Sequence, residues 1–163
     1  MKKIYIAGPD VFERHSIEIG ENYVQLCAKY GFEGHYPLDN VIDFKQEKNA
    51  VAMEIYMANK NLLDECDVVI ANLNPFRGKE ADSGTVWECG YAQGIGKKVY
   101  GYMSVKRDYV EGFASKKEED GIFWDEDDRF IEDFGHPLNL MIACSVLELV
   151  EGGFEDVLRV MEA

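Results

Sequence analysis

DVVIANLNPFRGKEADSGTVWECGYAQGIGKKVYGY, residues 67–102, decides the fold. Asp67-Val68-Val69-Ile70-Ala71-Asn72-Leu73 is an apolar, β-branched run of strand length, and such a run suits a strand covered on both faces. Asn74 to Gly84 is a polar connection, long for the inside of a compact domain and more often functional than not. A helix carrying Glu88 follows, and then a strand, Lys98-Val99-Tyr100-Gly101-Tyr102. Strand, loop, helix, strand is the unit from which parallel α/β sheets are built. Ligands of open α/β sheets bind beyond the carboxyl ends of the strands, so the loop and its two acids, Asp82 and Glu88, fall at the expected binding rim.

The flanking sequence repeats the pattern. Lys3-Ile4-Tyr5-Ile6-Ala7 reads as a first strand, ended by Gly8-Pro9-Asp10-Val11-Phe12. Phe12 is either a core aromatic anchoring that loop or a platform for a planar base. Ile19, Tyr23, Leu26 and Tyr30 recur at helical spacing and predict a helix over about 14–30, with Gly31 as its C-cap. Phe32 to Tyr36 reads as a second strand stopped by Pro37, with His35 a strand or surface histidine rather than a base. A helix is expected from about Glu47 to Asp64, its inner stripe formed by Ile55, Asn59 and Leu62. Asn59 in that stripe is open to two readings, a buried amide satisfied by backbone or a side chain aimed into the rim pocket. The mixed-charge stretch 104–135 is expected to be a partly ordered excursion, a lid, a subunit contact or merely solvated surface. Order resumes at Gly135 to Met141 with a helix opening near Pro137, then a strand over Val146 to Val150 and a terminal helix over Phe154 to Met161. The sum is an α/β chain, a doubly wound parallel sheet of about five strands in one domain spanning 1–163.

Composition limits the partners. With 31 acidic and 17 basic residues the formal net charge is −14, which repels phosphate backbones and anionic membranes. A neutral or base-like small molecule is the better fit, with no nucleic-acid polymer and no membrane as partner. Cys27, Cys66, Cys89 and Cys144 form no CxxC pair and sit among apolar neighbours, as reduced, buried thiols of a cytoplasmic protein do. The apolar run after Lys2-Lys3 is too short for a signal peptide or a membrane span. No Walker loop or GxGxxG fingerprint occurs, so no metal and no cofactor is expected.

Two readings compete at Glu88. Thr85-Val86-Trp87-Glu88 fits a capping box, in which the glutamate only reaches back to its own helix start, and Asp82 or Ser83 fits a helix N-cap. The other reading rests on place: two acids and a Gly-flanked loop meet at the crevice, with Tyr5 on the neighbouring strand in reach. A carboxylate there is expected to be kept ionised by the helix dipole. It would then attack an anomeric carbon to form a glycosyl-enzyme, with a tyrosine hydroxyl orienting it.

At these residues the chain resembles the nucleoside 2-deoxyribosyltransferases. The likeness is carried by Lys3 to Gly8, the Asp67 to Ala71 strand, Asp82 to Ala92 and Pro137-Leu138-Asn139-Leu140-Met141, an ordered set that spans most of the chain. The resemblance implies a flavodoxin-like sheet and exchange of the purine or pyrimidine base of a 2'-deoxyribonucleoside, with retention. It implies that Glu88 is the nucleophile, that Tyr5 orients it and that Asp82 helps bind sugar and base. Substrate contacts are expected from Gly8, Phe12, Asp39, Asn59, Gly84, Asn139 and Met141. Asn139 would serve the 5'-hydroxyl in a neighbouring subunit's site, which requires a homo-oligomer. Asn59 departs from the aspartate of many members, and an amide supplies no titrating proton to the leaving base; Asp82 or a water would have to do so. The 74–78 loop resembles that of a subset that includes protozoan enzymes, which brings Arg77 toward the pocket. Two alternatives remain: a 2'-deoxynucleoside 5'-monophosphate N-glycosidase, in which water takes the sugar, and a non-enzymatic flavodoxin-like binding module.

Overall fold

The structure is a computed structural model that describes residues 1–39, 45–118 and 120–162, Asp39 and Lys117 through their backbone only. Five parallel strands form the main sheet: β1 (Lys3–Ala7), β2 (Glu33–His35), β3 (Val68–Asn72), β4 (Lys98–Met103) and β8 (Glu148–Glu151), in the order β2-β1-β3-β4-β8. This is a flavodoxin-like α/β fold. The chain leaves β1 outward to β2 and returns past it to β3, so the order reverses between β1 and β3. That reversal opens a crevice at the carboxyl ends of these two strands. Their register pairs Tyr5 with Val69 and Ala7 with Ala71.

Strand alternation splits the core in two. Tyr5, Ala7, Val69, Ala71, Leu73 and Val99 face one layer, where they meet Leu63 of helix α2 (Lys48–Glu65) and Cys89 and Ala92 of helix α3 (Ser83–Gly94). Ile4, Ile6, Ile70 and Tyr102 face the other, against Cys27 of α1 (Ser16–Lys29) and Val157 and Leu158 of α6 (Phe154–Glu162). With both faces covered, β3 is buried at all five residues, as its unbroken apolar sequence requires. Gly31 ends α1 at φ 78°, a conformation costly for any residue with a Cβ.

Three expectations need correction. The apolar stripe of α2 runs through Leu63, which is fully buried, while Ile55 is exposed and Leu62 half-buried. Met53, Tyr56 and Met57 are exposed as well, and the helix is fully buried only at Leu63. Cys144 is exposed, unlike the other three thiols, with its Sγ 3.9 Å from His136 Nε2. The helix expected near Pro137 begins later, as the short α5 (Leu140–Ala143). Within 104–135 the described residues form α4 (Tyr109–Phe113) and a small antiparallel sheet of β5 (Lys116–Lys117), β6 (Phe123–Trp124) and β7 (Phe130–Ile131), which fits the expected partly ordered excursion. Its charges hold its turns, with Lys116 paired to Asp128 at 2.7 Å and Asp125 accepting the backbone N–H groups of Asp127 and Arg129. His35 lies on β2 as expected, paired with Glu33 at 2.9 Å. Among the described residues no helix is long and apolar enough to cross a membrane.

The contact between α1 and the chain after β2 gives a prediction whose sign runs against helix propensity. A Cβ on Gly20 would lie 2.3 Å from the buried ring of Tyr36. Gly20→Ala, favoured by about 1 kcal/mol on propensity alone, is expected to destabilise the chain by about 1–3 kcal/mol through overpacking. Denaturant titration checks the sign.

Candidate active site

Helix α3 starts one turn earlier than a Thr85 cap would place it. Asp82 is the N-cap, and its Oδ2 accepts from the Thr85 backbone N–H at 2.9 Å and the Thr85 hydroxyl at 3.0 Å. Thr85 therefore stands at the third helical position, and Glu88 lies beyond the first turn. The capping box is absent, because the donor that it would satisfy is inside the helix and Asp82 serves the start. Ser83 and Gly84 belong to the helix, so the connection after β3 ends at Asp82.

Glu88 is bound from the sheet instead. The Tyr5 hydroxyl donates to its Oε1 at 2.5 Å, across 83 residues of sequence, and Oε2 has no hydrogen-bond partner among the described residues. Tyr5 is fully buried, and burial together with the adjacent carboxylate pushes its phenol far above the ordinary range, so that it stays protonated and donates to Glu88. Glu88 is pushed up to about 7. Burial is the main cause, the Tyr5 hydrogen bond opposes it, and the charge of Asp82 adds to it. The expected control by the helix dipole is thus corrected: that field fades within the first turn, and Glu88 lies past it.

Glu88 lines a cleft of about 330 Å³ between α2 and α3, together with Tyr56, Asn59, Lys60, Leu63, Gly84 and Trp87. Three of the expected site residues, Glu88, Asn59 and Gly84, thus share one cavity, with Tyr5 behind the carboxylate and Asp82 at the helix start. Tyr56 and Trp87 were not anticipated. Tyr56 precedes Asn59 by three residues, so helical spacing already put both on one face; Trp87 adjoins Glu88, and no periodicity singled it out.

Other expected residues lie elsewhere. Phe12 does not line this cleft; it is exposed, stacks on Phe76 at 5.5 Å and lies under the Arg77 guanidinium, 5.0 Å from its ring centre. Gly8 is at the exit of β1, where a Cβ would come 2.5 Å from the Asp10 carboxylate and 2.9 Å from the Asn72 Cβ. Asp10 accepts from the Asn72 amide at 2.9 Å and the Tyr23 hydroxyl at 3.2 Å. Asn139 is the N-cap of α5, its Oδ1 accepting from the Met141 N–H at 3.0 Å; it borders a different cavity with Glu80, Tyr109 and Arg129. The Met141 side chain is largely exposed. Asp39 closes a 3-10 turn, Pro37–Asp39, and its side chain lies outside the described residues.

The raised Glu88 gives a stability prediction. Its folded value, about 7, lies above the free value of 4.5, so the native chain holds this proton where the unfolded chain has lost it. The stabilising effect of the tighter proton is complete below about 4.5 and lost as pH rises through about 7, leaving a charge-burial cost of about 3 kcal/mol. Glu88→Gln, which still accepts from Tyr5, is expected to match the parent at pH 4 and exceed it at pH 8. Melting curves at the two pH values test this.

Residues 4–141 match the family described as nucleoside 2-deoxyribosyltransferase. A solved 2-desoxiribosyltransferase from Leishmania mexicana is 31% identical, with 99% of this chain and 97% of that one covered and a TM-score of 0.79. A 2-deoxyribosyltransferase from Bacillus psychrosaccharolyticus, at 19% identity, 95% and 89% coverage and a TM-score of 0.62, shares the fold. An uncharacterised protein of Schizosaccharomyces pombe is 29% identical over 119 residues, 71% of this chain and 56% of its own length; the chain spans about half of that curated relative. The match over 4–141 and the full-length likeness to the Leishmania protein establish that the chain belongs to the nucleoside 2-deoxyribosyltransferase family.

Proposed function

We propose that this protein exchanges the base of 2'-deoxyribonucleosides through a deoxyribosyl-Glu88 intermediate, with retention at C1'. The observation that carries the reading is the environment of Glu88. One oxygen is held by Tyr5, the other has no partner among the described residues, and the carboxylate faces a cleft of ligand size. In the first step a Glu88 oxygen bonds to C1' as the C1'–N bond breaks, and the departing pair stays on the base nitrogen, which takes a proton from a water. In the second, a nitrogen of the incoming base attacks C1', the C1'–O bond breaks, and the incoming base gives up a proton as the Glu88 carboxylate reforms. Two inversions give retention. Asn59, an amide, orients and does not protonate. The electrophile is an acetal carbon, so the reading needs no cofactor.

Roles for the remaining residues are part of the same proposal. Phe12 and Gly8 shape the sheet rim, and Asn139 serves the sugar of a neighbouring copy, since it borders another cavity of its own chain. On this reading the working unit is a homo-oligomer.

Thymidine with adenine is expected to yield deoxyadenosine and thymine, whereas release of free deoxyribose alone would mark a hydrolase. Glu88→Ala should cut exchange by about 10⁴-fold or more while the chain stays folded. Mass spectrometry after quenching should find the sugar on Glu88.

A second prediction concerns pH. Because the nucleophile must be ionised, kcat/KM is expected to rise with pH to an inflection near the value of about 7 for Glu88. Tyr5→Phe removes the hydrogen bond that lowers this value, so the inflection should move upward, and the rate at pH 7 should fall about 10- to 100-fold.

A further inference from the structure

A second cavity, about 430 Å³ against about 330 Å³ for the Glu88 cleft, opens at the carboxyl ends of β3 and β4. The two share no residue. One wall is the connection that leaves β3, from Asn74 to Lys79, and the other runs from Met103, the last residue of β4, to Phe113 on α4. This is the rim where open α/β sheets take ligands, one strand over from the β1–β3 crevice. All these walls come from one chain, so no residue of a neighbouring copy is needed to form them.

The lining combines apolar surface with positive charge. Pro75, Met103 and Phe113 supply the apolar part, and Phe113 stacks on Tyr109 at 4.4 Å with the planes 28° apart. Lys79 and Arg107 supply the charge, and neither has a carboxylate partner among the described residues. The Lys79 Nζ lies over the Phe113 ring, 5.4 Å from its centre, and Arg107 makes no hydrogen bond or ion pair there. Elsewhere Lys29, Lys60, Lys116, Arg129 and Arg159 are each paired with an acid at 2.6 to 2.8 Å. In a chain with 31 acids for 17 bases, two unpaired cations in one cavity call for an anion from outside. Asp108 is the only acid among the described lining residues, so the wall stays net positive.

We propose that this cavity is a second small-molecule site, for a phosphate monoester on a flat apolar ring, the chemistry of a nucleoside monophosphate. A guanidinium grips two oxygens of such a group at once, and the lysine adds a point charge. Two cations match the nearly double negative charge of a phosphate monoester better than the single charge of a carboxylate. The flat ring finds its counterpart in the Phe113 face and the apolar wall, and the volume is that of an ordinary ligand pocket. The net charge of −14 still excludes a long polyanion, but screening within about 8 Å lets a single small anion respond to the two nearby cations. The proposal is independent of the reaction at Glu88.

Calorimetric titration of the assembled protein with adenosine 5'-monophosphate is expected to show saturable binding. Inorganic phosphate and adenosine, each half of that ligand, should bind about tenfold or more weakly. Arg107→Ala and Lys79→Ala should each weaken the nucleotide about tenfold, and Arg107→Lys should recover only part of the loss. Both side chains are exposed, and if one variant fails to fold the other carries the test. Lys60→Ala, which removes a cation lining the Glu88 cleft, should leave nucleotide binding unchanged. Absence of saturable binding, which a neighbouring copy seated over the cavity would also produce, overturns the proposal. So do nucleotide binding unchanged in both Arg107→Ala and Lys79→Ala, phosphate binding as tight as that of the nucleotide, and a loss in Lys60→Ala as large as that in Arg107→Ala, which would put the nucleotide in the Glu88 cleft.

Discussion

A phenol on the first strand and a carboxylate on the third helix, 83 residues apart, share one hydrogen bond. The layout of the site depends on it. Tyr5 reaches Glu88 only because β1 and β3 are neighbours and because alternation turns Tyr5 toward the layer that holds α2 and α3. The bond also settles which way the carboxylate faces. One oxygen is tied to the sheet, and the other is left without a partner among the described residues, beside the cleft. In its absence nothing in the geometry of α3 would distinguish Glu88 from any partly buried acid in a second helical turn.

The same contact exposes a conflict between folding and chemistry. Burial lifts the Glu88 carboxyl toward neutrality, Asp82 lifts it further, and the Tyr5 hydroxyl draws it back. The result, about 7, is a group that titrates near neutrality rather than a permanently charged one. Local strain of this kind is characteristic of functional sites, where stability is given up for a group held ready to react.

A second polar system steadies the rim. Asn72, at the end of β3, donates to Asp10 and accepts from the backbone and side chain of Asn74; Asn74 in turn accepts from the backbone and hydroxyl of Ser104. The exits of β1, β3 and β4 are tied together by side chains that would each be costly to leave unpaired. The connection from Leu73 to Asp82 is therefore anchored at both ends, by this network and by the Asp82 cap. Between them Arg77 sits at φ 52° over Phe12 and Phe76.

What the sequence by itself determined follows from short-range physics. Apolar runs of strand length, helical periodicity and a cap glycine are local, so five parallel strands, the four main helices and the delivery of Asp82 and Glu88 to one rim were legible in it. The family's ordered motifs were legible as well, because they are strings. Tertiary structure alone decided the rest. Whether Glu88 served its own helix or a cavity turned on Asp82 taking the cap. Its proton affinity turned on burial, which no residue string states. Tyr56 and Trp87 belong to different helices and became one wall only when α2 packed beside α3, while Phe12 was drawn to Phe76 by a loop whose path depends on the Asn72 network. A string encodes spacing along the chain; which distant side chains meet, and how much water is left between them, is fixed only once the layers close.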